Sequence, residues 1–133
     1  MAVDEISISW QNTFQGVLEA PNGQVLIGSE EGNLKPYNLF LGALGSCFYA
    51  TFLSLVQKMK LSFSKAEMKI GGVKREEVPT TLKEATIYFK VFNPSNEEKI
   101  LKAAKLGAKY CSIHETISKV AKIDLDVHFE YQK

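Results

Sequence analysis

Cys47 and Cys111 are the two cysteines of the 133-residue sequence, and a thiolate is the strongest nucleophile its composition offers. Cys47 stands in Gly45-Ser46-Cys47-Phe48, within an apolar stretch. On a helix, Phe40, Ala43, Ala50 and Ser54 share its side of the wheel, and these mostly small residues leave room for an apolar ligand over the sulfur. The competing reading is an inert buried cysteine, a common core residue. Cys111 directly precedes Ser112-Ile113-His114-Glu115, a capping box, so its thiol stands near unpaired helix N–H groups that favour a thiolate. Its competing reading is a half-buried anchor at the helix entry. One cysteine on a core helix and one at a helix mouth make an attacking and resolving pair if the fold brings them together.

Other chemistries are poorly served. Cys47, Cys111, His114 and His128 offer four potential metal ligands, but Cys111 and His114 form only a Cys-x-x-His, and His128 sits between Asp126 and Glu130 on the polar face of a strand. No metal and no cofactor is therefore expected. HExxH, phosphate-loop and nucleophile-elbow patterns do not occur. Lys99, Lys102, Lys105 and Lys109 read as a solvated helix face. The 16 basic and 15 acidic residues leave a formal charge of +1, too near balance to point to nucleic acid. Met1-Ala-Val-Asp-Glu-Ile is acidic where a secretory signal is basic, so a cytoplasmic location is expected, and there cysteines remain thiols.

The elements that must position the thiols follow from periodicity. Ile6 to Trp10, Thr13 to Ala20 and Gln24 to Ser29 read as strands, the last two joined through Pro21-Asn22-Gly23, where Asn-Gly suits a tight hairpin with positive φ angles. Pro36 to Gln57 carries no charge, and Tyr37 to Val56 is 20 residues long, enough to span a bilayer. Asn38, Gly42, Gly45, Ser46, Cys47, Thr51 and Ser54 interrupt it, and flanking amphipathic strands need something apolar to cover. The stretch from Pro36 to Lys60 is therefore read as a core helix hydrophobic all round, with no membrane partner. Ala66, Met68 and Ile70 alternate with polar residues, Gly71-Gly72 suggests a bulge or bend, and Ala85 to Val91 forms a second alternating strand paired with the first. Ser95-Asn96-Glu97-Glu98 is a capping box opening a helix with basic residues toward its end. A short helix from Ser112 to about Lys122 and a strand from Ile123 to Tyr131 complete the chain.

The order βββ-α-ββ-αα-β is α+β, with antiparallel sheets packed around the long helix in a single domain over residues 1–133. A helix apolar all round cannot be covered by a few strands on one side. A second copy is the simplest source of the missing surface.

Pro36-Tyr-Asn-Leu-Phe-Leu-Gly-Ala-Leu-Gly-Ser-Cys47 and Lys109-Tyr-Cys111-Ser-Ile-His-Glu-Thr-Ile resemble the OsmC/Ohr family of osmotically induced and organic-hydroperoxide-resistance proteins. Members carry a proline and an apolar, small-residue-rich stretch ending in a cysteine on a long central helix, then a second cysteine opening a short helix. The resemblance covers nearly the whole chain. It implies an intertwined homodimer with two active sites at the subunit interface. It also implies a thiol peroxidase: Cys47 attacks an apolar hydroperoxide, Cys111 condenses with the sulfenic acid, and a dithiol reductant reopens the disulfide. The alternative on the same fold is a protein that binds a small apolar molecule beside Cys47 without turnover.

Two positions depart from the family pattern. Its peroxidases follow the proline with a glutamate that orients an arginine from the N-terminal strands toward the thiolate. Here Tyr37 and Asn38 follow Pro36, the only arginine is Arg75, and residues 1–34 contain no lysine. Arg75, Lys35 or a partner subunit is left to supply the charge. With none of them acting, burial raises the pKa of Cys47, a hydrogen bond from the Tyr37 phenol compensates only in part, and any peroxidase activity is slow and rises from about pH 7 to 9.

Overall fold

A computed structural model describes residues 1–133. The elements are β1 (Ser7–Trp10), β2 (Gly16–Ala20), β3 (Gly23–Ile27), α1 (Pro36–Lys58), β4 (Lys65–Lys74), β5 (Leu82–Phe92), α2 (Glu97–Tyr110), α3 (Ser112–Ser118) and β6 (Lys122–Glu130). The order is the expected βββ-α-ββ-αα-β, and the chain forms two compact units, Met1–Gly42 and Ala43–Lys133.

In the first unit β1, β2 and β3 form an antiparallel meander, with Ile8 opposite Leu18 and Ala20 opposite Gly23. The hairpin lies where Asn-Gly suggested, but Pro21-Asn22 make the turn, and the chain's positive φ angles fall at Gly32, Lys60 and Asn93 instead. Proline's fixed negative φ takes the first central position and shifts Gly23 into the strand. Gly28 has a steric reason to be glycine, since a Cβ there would lie 1.6 Å from Oε1 of Gln15, the side chain that accepts a hydrogen bond from Asn33 at 2.9 Å. Asn38 Oδ1 accepts the Lys35 N–H at 2.9 Å, closing the start of α1 as a capping-box residue would. Ile27 is the unit's one buried large hydrophobic residue, whereas Ile6, Ile8, Trp10 and Leu26 stay exposed.

In the second unit α1 lays Leu44, Phe48, Phe52 and Val56 onto the sheet β4-β5-β6. The Phe89 ring meets Phe48 and Phe52 edge-on, with centroids 5.1 and 4.9 Å apart. Ala85, Ile87, Phe89 and Val91 of the central strand are buried on one face, while Glu84, Tyr88 and Lys90 are exposed on the other. Alternation therefore sets strand orientation, as the sequence pattern requires. Ile100, Ala103, Ala104 and Gly107 form the buried stripe of α2.

Three local expectations are corrected. β6 pairs with β5 in parallel, so the sheet is mixed rather than antiparallel: α2 and α3 carry the chain back along the sheet, and β6 then runs the same way as β5. The register shift falls at Val73/Lys74 rather than at Gly71-Gly72. The cap of α2 is Asn96, whose Oδ1 accepts the Lys99 N–H at 2.9 Å, while Ser95 turns its hydroxyl to the Ser62 N–H at 3.0 Å. Within its own chain α1 buries one stripe. Its remaining apolar residues are half-buried or exposed.

Candidate active site

Cys47 lies on the flank of the α1 stripe that packs onto the sheet, half-buried, three residues after Leu44 and one before Phe48. Thr51 turns its hydroxyl back to the Cys47 carbonyl at 3.0 Å, leaving the thiol free for other partners. Cys111 links α2 to α3 in extended conformation (φ −72°, ψ 120°) and is fully buried. No disulfide joins the two cysteines.

The cap of α3 is not Ser112. Cys111 occupies the cap position, and its sulfur accepts the His114 N–H at 3.4 Å. Sulfur is a weak acceptor and cysteine an uncommon cap, whereas serine is a preferred one. The displacement by one residue places Ser112 in the first turn, with its hydroxyl 3.9 Å from the Cys47 sulfur, and pairs Glu115 with Lys119 at 2.7 Å.

The two cysteines meet here. Burial works to raise the Cys47 pKa, but the neighbouring Cys111 thiol, the N–H of Ile113, and the hydroxyl and N–H of Ser112 work to lower it, and their combined effect holds it below the ordinary thiol value. The expectation that burial would raise this pKa, with at most the Tyr37 phenol opposing it in part, is corrected by these donors, which a composition without nearby arginine does not reveal. Cys111 moves the other way: burial first, then its hydrogen bond to Cys47 and the Cys47 charge, push it up to about 11, against the N–H groups of His114 and Ile113. Of the two sulfurs, Cys47 is thus the one that loses its proton first, and Cys111 the one that keeps it.

No cationic side chain of the chain is among the groups acting on Cys47. Arg75 donates from Nε to the Pro79 carbonyl at 2.9 Å and faces Glu77 at 4.0 Å, at the β4–β5 connection. Tyr37 packs edge-on to Phe40, ring centroids 5.5 Å apart. Burial lowers the His114 pKa from its ordinary imidazole value, which favours the neutral ring. His128 lies on the exposed face of β6 with Nε2 3.2 Å from Asp126. The four residues weighed as metal ligands are therefore split between this site and a separate strand face. Sequence reasoning missed Ser112 and the Ile113 N–H as site groups. The signal was present in the overlap of Cys111-Ser-Ile-His114 with the serine capping box, which offers two alternative caps one residue apart.

Comparisons with known proteins agree with this architecture. The curated protein YhfA of Escherichia coli K12 is 26% identical over 121 residues, covering 87% of this chain and 90% of YhfA. Among solved structures, a hypothetical protein from Aquifex aeolicus VF5 has the same fold, with a TM-score of 0.88 at 22% identity over the full length of both chains. An organic hydroperoxide resistance protein OsmC from Legionella pneumophila superposes with a TM-score of 0.75 at 14% identity, covering 96% of this chain and 98% of its own. The family described as OsmC-like protein matches residues 28–126, a span containing the central helix and both cysteines, and the chain belongs to that family.

Proposed function

We propose that the protein is a thiol peroxidase that reduces organic hydroperoxides through Cys47 and Cys111. The observation that carries this reading is the meeting of the two cysteines at the start of α3, where Ser112, the residue after Cys111, stands with its hydroxyl 3.9 Å from the Cys47 sulfur, and where the Cys47 pKa is lowered while that of Cys111 is raised. The Cys47 thiolate attacks the terminal oxygen of ROOH. The O–O bond breaks, sulfur is oxidised by two electrons to the sulfenic acid, and RO⁻ leaves and takes a proton from water to become ROH. The Cys111 thiol then attacks the sulfenic sulfur, losing its proton as hydroxide departs, so that a disulfide and one water form. A dithiol reductant returns both thiols by exchange. Small residues beside Cys47 suit an apolar R group.

The working form in this reading is a homodimer. The first unit leaves Ile6, Ile8, Trp10 and Leu26 exposed, and α1 keeps Phe40 40% exposed, faces that a second copy would cover. A second reading, binding of a small apolar molecule without turnover, is favoured by the lack of a cation acting on Cys47 within the chain. One assay separates the two: with cumene hydroperoxide and dithiothreitol, the wild type consumes peroxide catalytically and Cys47→Ser does not. Equal rates in the two proteins would overturn the peroxidase reading.

A further inference from the structure

We infer that Ser112 is a positioning residue of the thiol site, its hydroxyl donating a hydrogen bond to the Cys47 sulfur and so holding the attacking sulfur as thiolate where no cation is at hand. This deepens the peroxidase reading and rests on it for its consequence, though not for its geometry. The Ser112 oxygen stands 3.9 Å from the Cys47 sulfur and has no other side-chain partner. Once the sulfur is a thiolate, the hydroxyl is the only possible donor of the two.

The local backbone makes the case stronger. Serine three residues ahead of Glu115 has the sequence of a helix cap, and in that role its hydroxyl would turn inward to a backbone N–H of α3. Cys111 takes that role instead through the His114 N–H at 3.4 Å, although its sulfur is the poorer acceptor. Glu115, the other half of the box, pairs with Lys119. Local preference is overruled at the one place where the two sulfurs meet, and its result is a hydroxyl released from capping and directed at Cys47. Such violations collect at functional sites. Ser112 is exposed, and its carbonyl accepts the Thr116 hydroxyl at 2.9 Å, a bond that survives any change of its own side chain.

The test compares full-length reduced wild type, Ser112→Ala and Ser112→Thr. Iodoacetamide labelling of Cys47, resolved by mass spectrometry across pH, gives the thiolate midpoint without requiring turnover. Loss of one hydrogen bond to a charged sulfur should raise the Ser112→Ala midpoint by about one pH unit, while Ser112→Thr, which keeps the hydroxyl, tracks the wild type. In single turnover with cumene hydroperoxide, Ser112→Ala should then be about tenfold slower below both midpoints and converge with wild type above them. A Ser112→Ala midpoint equal to that of wild type would overturn the inference, as would a Ser112→Thr shift as large as that of alanine, or loss of the fold in Ser112→Ala, which would make the hydroxyl structural. If no protein reduces the peroxide, the peroxidase reading fails by itself and the labelling midpoints still decide the role of Ser112.

Discussion

Cys111 holds two positions at once, a thiol facing Cys47 and the cap of α3, and both keep its sulfur protonated or occupied. The pair should therefore titrate unequally. Iodoacetamide added to the reduced protein at about pH 7 is expected to modify Cys47 well before Cys111, and Cys111 should stay unlabelled until the pH nears about 11 or the protein unfolds. The stability consequence has a definite sign. The folded state holds the Cys111 proton more tightly than the unfolded chain does, so this contribution is present below the unfolded thiol pKa and is lost as pH rises toward about 11. Urea midpoints measured for wild type and Cys111→Ala should thus diverge least at the alkaline end of that window; a difference independent of pH would contradict the assignment. Both cysteines were legible as candidates from their neighbours in sequence. Their polarity was not, because it is set by contacts that form only in the fold: the Cys111 thiol, the Ser112 hydroxyl, and two backbone N–H groups at a helix start, which every residue type carries.

At the scale of elements, periodicity carried most of the information. The uncharged run from Pro36 and the alternation of Ala85 to Val91 identify α1 and β5 because apolar spacing and burial are the same fact seen twice. The direction of β6 was not legible, since an alternating edge strand has the same pattern whichever way it runs, and only the return path of α2 and α3 decides it. Two element-level predictions follow from contacts. Gly107 of α2 faces the α1 backbone so closely that a Cβ would lie 3.2 Å from the N, Cα and Cβ of Phe52, and backbone cannot swing aside as a side-chain tip can. Gly107→Ala is expected to cost about 1–3 kcal/mol in urea unfolding, the range for overpacking, despite alanine's better helix propensity. Asn96→Ala removes the acceptor for the Lys99 N–H and should cost about 1 kcal/mol, while Ser95→Ala, outside the cap, should leave α2 unaffected.

For the whole molecule, the expectation of a second copy rests on apolar surface that the chain does not cover by itself. Trp10, Phe14, Leu26 and Phe40 are each 40–47% exposed, and a three-stranded meander with one buried large hydrophobic residue has little core of its own. Light scattering is expected to return twice the 14.8 kDa chain mass, with an apolar interface above about 2,000 Å². A stable 14.8 kDa species would contradict it. A partner subunit would also be the remaining source of a cation near Cys47, so replacing Arg75 by Ala tests this contribution: it leaves Cys47 labelling unchanged if its bonds to Pro79 and Glu77 are its whole role.

The central claim is that Cys47 is oxidised and Cys111 closes the reaction, and one measurement reaches it directly. Reduced protein is treated with one equivalent of cumene hydroperoxide, alkylated and weighed intact. The account predicts that wild type loses two hydrogens and both alkylatable thiols through a Cys47–Cys111 disulfide, Cys111→Ser gains one oxygen at Cys47, and Cys47→Ser is unchanged. Wild type that keeps both thiols, or that gains oxygen at Cys47 while Cys111 remains open to alkylation, would contradict it.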